Sequence, residues 1–191
     1  MIRKTKSREK LLYSARNIFF NKGYVAASMD EIAATAGVSK ATIYRQFVSK
    51  EELFKTLIVE FFENIRSCIE NILMEDTDFT EKLEKFIKIM RPILRELKPY
   101  LLKDLQMNEP ILFIFFLNER AKTIEGELKK LIQQGIDRDV INSDYQINLV
   151  SKMILVAIEQ LSLPEFIEIN SMTYDEVFRQ VIMIITKGIC K

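Results

Sequence analysis

The 191-residue chain contains no histidine, which excludes histidine-based catalytic triads, imidazole acid–base chemistry and histidine-ligated zinc. Its two cysteines, Cys68 and Cys190, stand far apart. Neither a CxxC knuckle nor a disulfide framework can be built from them, and such sparing use suits a reducing cytoplasm. The five glycines never form GxG, so a dinucleotide fingerprint and a P-loop are both missing. Long apolar runs are missing too: the longest, Ile111 to Leu117, is seven residues, against the roughly 18 of a membrane span. The first 20 residues carry Arg3, Lys4, Lys6, Arg8, Lys10 and Arg16 but no apolar stretch of signal-peptide length. No nucleophile has a recognisable base and no metal-ligand cluster is spelled out. The expectation is a cytoplasmic, non-enzymatic protein with no catalytic residues, no cofactor, no metal and no membrane association.

What is present is a globular composition, 48% apolar and 29% charged. The net charge of +1 conceals an asymmetry. Residues 1–55 hold 11 basic and 5 acidic side chains, a net of +6, whereas the remainder holds 17 and 22, a net of −5. A basic head on a mildly acidic body points to a polyanion-binding segment carried by a different module. Nearly the whole chain has helical periodicity, and no stretch alternates with period two. Capping boxes of the S/T-x-x-E/Q type occur at Ser28/Glu31, Ser49/Glu52, Ser143/Gln146 and Thr173/Glu176. A first apolar stripe, Leu11, Ala15, Ile18 and Phe19, is closed by Gly23. From Ser49 a single long helix runs through Leu53/Phe54, Leu57/Ile58, Phe61/Phe62, Ile65, Ile69 and Ile72. Later helices are expected around 83–97, 114–131, 144–163 and 174–189, with Pro92 kinking one of them and Pro99 and Pro110 beginning others. The class is all-α, with about nine helices. The division expected is a basic, polyanion-binding head over residues 1–50 and a helical body over 51–191.

The stretch SMDEIAATAGVSKATIYRQFVSKEELF, residues 28–54, is the most specific. Ser28 caps a short helix whose inner face is Ile32, Ala33 and Ala36, and Gly37 supplies the left-handed residue that stops it. Val38 is expected in the core, and Ser39 caps a second short helix, Lys40 to Gln46, with Ile43 and Phe47 inward. Two short helices crossing through alanine at a glycine-containing turn make a helix-turn-helix. Lys40, Ala41, Thr42, Tyr44, Arg45 and Gln46 then face outward. Thr42 and Ala41 suit a thymine methyl, Lys40 suits guanine acceptors, and Tyr44 suits the sugar–phosphate backbone. Lys50, at the start of the long helix, suits a phosphate.

The motif AGVS, then TIYxxF, then SKEEL resembles the N-terminal domain of TetR-family transcriptional regulators, as does the preceding LLYSARNIFFNKGYVAASM. The likeness covers residues 8–62; beyond them only the all-helical pattern is similar. It implies a three-helix DNA-binding head, a divergent helical body that binds a small molecule, and a homodimer. By the same likeness Ser28, Ser39, Lys40, Thr42, Tyr44, Arg45 and Lys50 match positions that touch DNA. Position 46 is Gln where several relatives place His, and its amide can still donate to a phosphate.

In the body, the likeness rather than the spacing favours a cavity. Its expected lining is Phe62, Phe86, Met90, Tyr100, Met107 and Phe113, suited to a small lipophilic molecule, with Glu63, Asp104, Glu119 and Glu159 as candidate polar anchors. The helices expected at 144–163 and 174–189 are apolar over more than one face, which suggests a two-fold four-helix interface. The function expected is a ligand-responsive regulator, a repressor released from a palindromic double-stranded operator when the lipophilic effector binds. The alternative from another class is a helical lipid or drug carrier whose head serves protein contacts.

Overall fold

The structure, a computed structural model, describes residues 2–190, with the side chains of residues 2–5 and 99 outside the description. Arg3 and Lys4 of the basic head segment therefore lie outside the described side chains. Ten helices follow one another among the described residues: α1 (Ile2–Lys22), α2 (Met29–Ala36), α3 (Lys40–Gln46), α4 (Lys50–Met74), α5 (Phe79–Glu96), α6 (Pro99–Asn108), α7 (Pro110–Asp137), α8 (Ile147–Leu161), α9 (Pro164–Ile169) and α10 (Tyr174–Ile189). The all-α class expected from periodicity holds. The short α9 is the addition, and α5 runs through Pro92 without interruption.

Two compact units emerge, and they do not divide at residue 50. The first comprises Met1–Phe61 together with Lys98–Phe116; the second comprises Phe62–Leu97 and Leu117–Lys191. In the first, α1 packs on α2 and α6, and α2 on α3. The core is made by Leu11, Ala15, Ile18 and Phe19 of α1, Ile32, Ala33 and Ala36 of α2, Ile43 of α3, and Leu53, Phe54 and Ile58 of α4. Phe19, Tyr24 and Phe54 form an aromatic triangle with ring centroids 5.2–5.7 Å apart, the edge-to-face and offset spacings that aromatic quadrupoles favour. α6 adds Leu101, Leu102 and Leu105, all buried, and fastens the α1–α2 turn by two polar contacts. The Tyr100 hydroxyl donates to the Phe20 carbonyl at 2.9 Å, and an Asp104 carboxylate oxygen accepts from the Val25 N–H at 2.9 Å. Gly23 has φ +86°, and a Cβ there would lie 2.8 Å from that Asp104 oxygen, so the turn requires glycine.

In the second unit α10 packs against α5 and α8, and α8 against α9. Phe86 and Phe178 meet with ring centroids 5.4 Å apart among buried Leu83, Met90, Val177 and Ile182. Two buried charges are fully accounted for. The Lys82 ammonium donates to the Leu73 carbonyl and to Gln134 Oε1, both at 2.8 Å, so it caps the C-terminal end of α4. Asp175 accepts from Thr173 Oγ1 at 2.7 Å and from the Nε atoms of Arg91 and Arg95 at 3.2 and 3.0 Å. Burial works against the Asp175 charge, but these donors outweigh it and hold its carboxyl below its usual range.

Candidate nucleic-acid interface

The helix-turn-helix forms as its caps dictate. Ser28 Oγ accepts from the Glu31 N–H at 3.1 Å and starts α2. Gly37, at φ +67°, ends it, and the Gly37 N–H bonds to the Ala34 carbonyl. Ser39 Oγ accepts from the Thr42 N–H at 3.2 Å and starts α3. Ile43 and Phe47 are buried as expected, whereas Val38 is only half-buried. At the start of α4, Ser49 Oγ accepts from the Glu52 N–H at 3.1 Å while the Glu52 carboxylate accepts from the Val48 N–H at 2.6 Å.

The nine residues expected at DNA separate into two kinds. Ala41, Tyr44 and Arg45 are exposed on one side of α3, and Arg45 has no ion pair among the described residues. Thr42 is half-buried, its hydroxyl 2.9 Å from Ser39 Oγ, with its methyl group on the same helix as the exposed three. The others are tied into the head. The Lys40 ammonium pairs with Asp30 at 2.7 Å, joining α3 to α2, and that hydrogen bond raises its pKa. Gln46 Nε2 donates to Ser7 Oγ at 3.0 Å, joining α3 to α1, while Gln46 Oε1 is buried without a partner.

Lys50 takes a role the sequence does not announce. Its ammonium donates to the carbonyls of Tyr24 and Ala27 at 3.0 Å and of Val25 at 3.4 Å, and lies 4.4 Å from the Tyr24 ring centroid. Partial burial lowers its pKa, opposed by Glu109 and Asp104. Burial, with Glu109 and Glu51, pushes the Tyr24 hydroxyl up to about 12. Lys50 thus holds the turn that leads into the Ser28 cap. Sequence reading also missed Arg8, which pairs with Glu60 and lies over the Phe47 ring, fixing the end of α3 from α1. Only its position in a basic segment hinted at it.

The residues expected to line an effector cavity fall in both units. Phe62, Phe86 and Met90 are buried in the second. Tyr100, Met107 and Phe113 belong to the first, where Tyr100 bonds to Phe20 and Met107 is 73% exposed. Of the candidate anchors, Asp104 is committed to Val25 and Asn108, and Glu119 pairs with Lys122 at 2.6 Å. No helix among the described residues is long and apolar enough to cross a membrane.

Two capped short helices crossing through alanine, a buttressing α1 and one exposed face on α3 define a DNA-binding head of the helix-turn-helix class. Residues 11–57 match the family model for bacterial regulatory proteins of the tetR family, so this segment is a DNA-binding domain of the tetR type. Over 160 residues it is 27% identical to the uncharacterized HTH-type transcriptional regulator YdgC of Bacillus subtilis, spanning 82% of this chain and 79% of that protein. The fatty acid degradation regulator FadR from Bacillus halodurans superposes with a TM-score of 0.74 at 21% identity over 95% of each chain. FadR from Bacillus subtilis in complex with stearoyl-CoA superposes with a TM-score of 0.69 at 21% identity, over 95% of this chain and 98% of that one. At these identities the two likenesses establish the fold.

Proposed function

We propose that the protein is a homodimeric repressor that reads a palindromic operator with α3 and releases it when a small lipophilic molecule binds the helical body. The observation that carries the DNA-reading half is the face of α3. Tyr44 and Arg45 stand in solvent on a helix whose inner residues, Ile43 and the capping Phe47, are fully buried. A rigid helix with a small central side chain, Ala41, flanked by Thr42 and two long polar residues is built to enter a major groove. The dimer reading is supported by α8, where Leu149, Met153 and Val156 form an exposed apolar stripe at i, i+4 and i+7, and by exposed Ile184 on α10. Two-fold pairing would present two heads to half-sites about 34–36 Å apart. The lipophilic effector is supported by the buried Phe and Met residues of the second unit and by the stearoyl-CoA held by the FadR of Bacillus subtilis. An effector displaces DNA only through its preference for the non-binding state, with couplings typically of about 1–3 kcal/mol, and operator DNA must weaken effector binding by the same factor.

The test is fluorescence anisotropy with duplex DNA over a salt series. The logarithm of affinity should fall with the logarithm of salt by about 0.9 per neutralised phosphate. Tyr44→Ala with Arg45→Ala should abolish most binding, whereas Thr42→Ala should relax sequence preference. A salt-independent complex, or full binding by the double variant, would refute the reading.

A further inference from the structure

Within the second unit, Arg120 and Thr123 lie three residues apart on α7, hence on one face, and are 6% and 1% exposed. The Arg120 Nε and Nη2 atoms have no hydrogen-bond partner, and neither does Thr123 Oγ1. The hydroxyl of Tyr174, the first residue of α10, is buried and equally without a partner. Arg120 and Tyr174 act electrostatically on each other, and Arg120 and Thr123 share one buried face of α7. Glu159 of α8 is the carboxylate that acts electrostatically on Arg120, and Glu168 acts on Tyr174, yet neither supplies the missing bonds. Burial lowers the Arg120 pKa and raises that of Tyr174, the signature of polar groups withdrawn from water.

An arginine stays ionised in a protein interior, so a guanidinium with two unbonded donors is a defect that folding alone does not justify. Such defects are retained where a partner arrives from outside. The chemistry of that partner is legible from the free atoms. Nε–H and Nη2–H are the adjacent, parallel donors of one guanidinium edge, the fork that meets both oxygens of a carboxylate. The Thr123 and Tyr174 hydroxyls can donate as well. A set of free groups that can all donate is complementary to an acceptor-only, negatively charged group.

We propose that Arg120, with Thr123 and Tyr174, anchors the carboxylate of an apolar organic acid, which makes the effector an acid rather than a neutral lipophile. This rests on the reading that the body binds a lipophilic effector and names the polar end of that molecule. The site differs from the anchors expected from sequence, which were all carboxylates and would have selected a cation or a neutral donor.

The experiment uses the full chain and isothermal titration with straight-chain carboxylic acids from octanoate to palmitate, each paired with the alcohol of equal length. The acids should bind at least about tenfold more tightly than their alcohols, as a bidentate charge-assisted contact demands. Arg120→Met should erase that difference while leaving salt-dependent DNA binding intact. Thr123→Val and Tyr174→Phe, which delete one hydroxyl each with little change of volume, should each weaken the acids severalfold and leave the alcohols unchanged. They decide the matter if Arg120→Met does not fold. Equal binding of acids and alcohols, binding of neither, or an acid preference that survives these substitutions would overturn the proposal. DNA binding measured on the same samples separates that failure from a failure of the regulator reading, since either can occur without the other.

Discussion

Lys50→Met distinguishes two roles for one lysine, because the side-chain length is kept while the ammonium is removed. If Lys50 holds the α1–α2 turn, the variant loses bonds to the Tyr24, Val25 and Ala27 carbonyls and the contact with the Tyr24 ring. Charge-assisted hydrogen bonds of this kind contribute about 1.5–3 kcal/mol net, and a partly exposed cation–π contact adds about 0.5–1 kcal/mol. Two opposing effects reduce the sum. Val25 is exposed, so its released carbonyl regains water, and burial already disfavours the ammonium in the folded head. The expected loss is about 2 kcal/mol. In urea melts followed by circular dichroism at 222 nm, that is a midpoint lower by about 0.8 M at unchanged slope, taking a slope near 2.5 kcal/mol/M. The salt dependence of DNA binding should keep its slope, because no phosphate contact has been deleted. A phosphate-binding Lys50 gives the opposite pattern: unchanged stability and a salt slope shallower by about 0.9 for each head. That pair of results would refute the structural role.

Gly23→Ala should destabilise by about 2–3 kcal/mol, from roughly 1–2 kcal/mol of left-handed backbone strain plus about 1 kcal/mol for the displaced bond between Asp104 and Val25. Gly37→Ala, at φ +67° with open space around the new methyl, should lose only the backbone part; differential scanning calorimetry compares them, and equal losses would mean that Asp104 yields freely. Met153→Glu with Ile184→Glu alters residues exposed in the protomer and should give folded monomers by sedimentation velocity. Val181, which is buried within its own unit, should instead unfold when replaced by Glu, and a Met153/Ile184 variant that stays dimeric would place the interface elsewhere.

Local chemistry made most of the helix boundaries legible, and its exceptions have local causes. Ser28, Ser39, Ser49 and Thr173 all cap as their spacing requires, because each bond closes within three residues. Ser143 does not, since Asn142 Oδ1 accepts from the Asp144 N–H at 3.0 Å and its carbonyl from the Tyr145 N–H, an Asx turn that delays α8 until Ile147. The small α9 carried a readable signal in Pro164 at its first position. Helix α3 forms where its caps predict, but the division between exposed Tyr44 and Arg45 and the tethered Lys40, Gln46 and Lys50 was not legible. Those tethers reach 10 to 39 residues along the chain, and no local pattern encodes them.

The head extends beyond the segment that its local sequence defines. The matched family segment stops at residue 57, yet the Val25 N–H finds its acceptor in Asp104 and the Phe20 carbonyl its donor in Tyr100. Leu101 and Leu105 are fully buried in the same unit, so removing α6 would expose apolar surface as well as strand two backbone groups. Lys50 fastens the outer side of the α1–α2 turn through its carbonyls, and α6 fastens it through the Val25 N–H and the Phe20 carbonyl. Because that turn leads directly into the Ser28 cap of α2, its geometry sets where α2, and with it the α3 packed upon it, begins. A substitution in α6 can therefore change DNA binding without touching DNA, through the same turn that Lys50 holds.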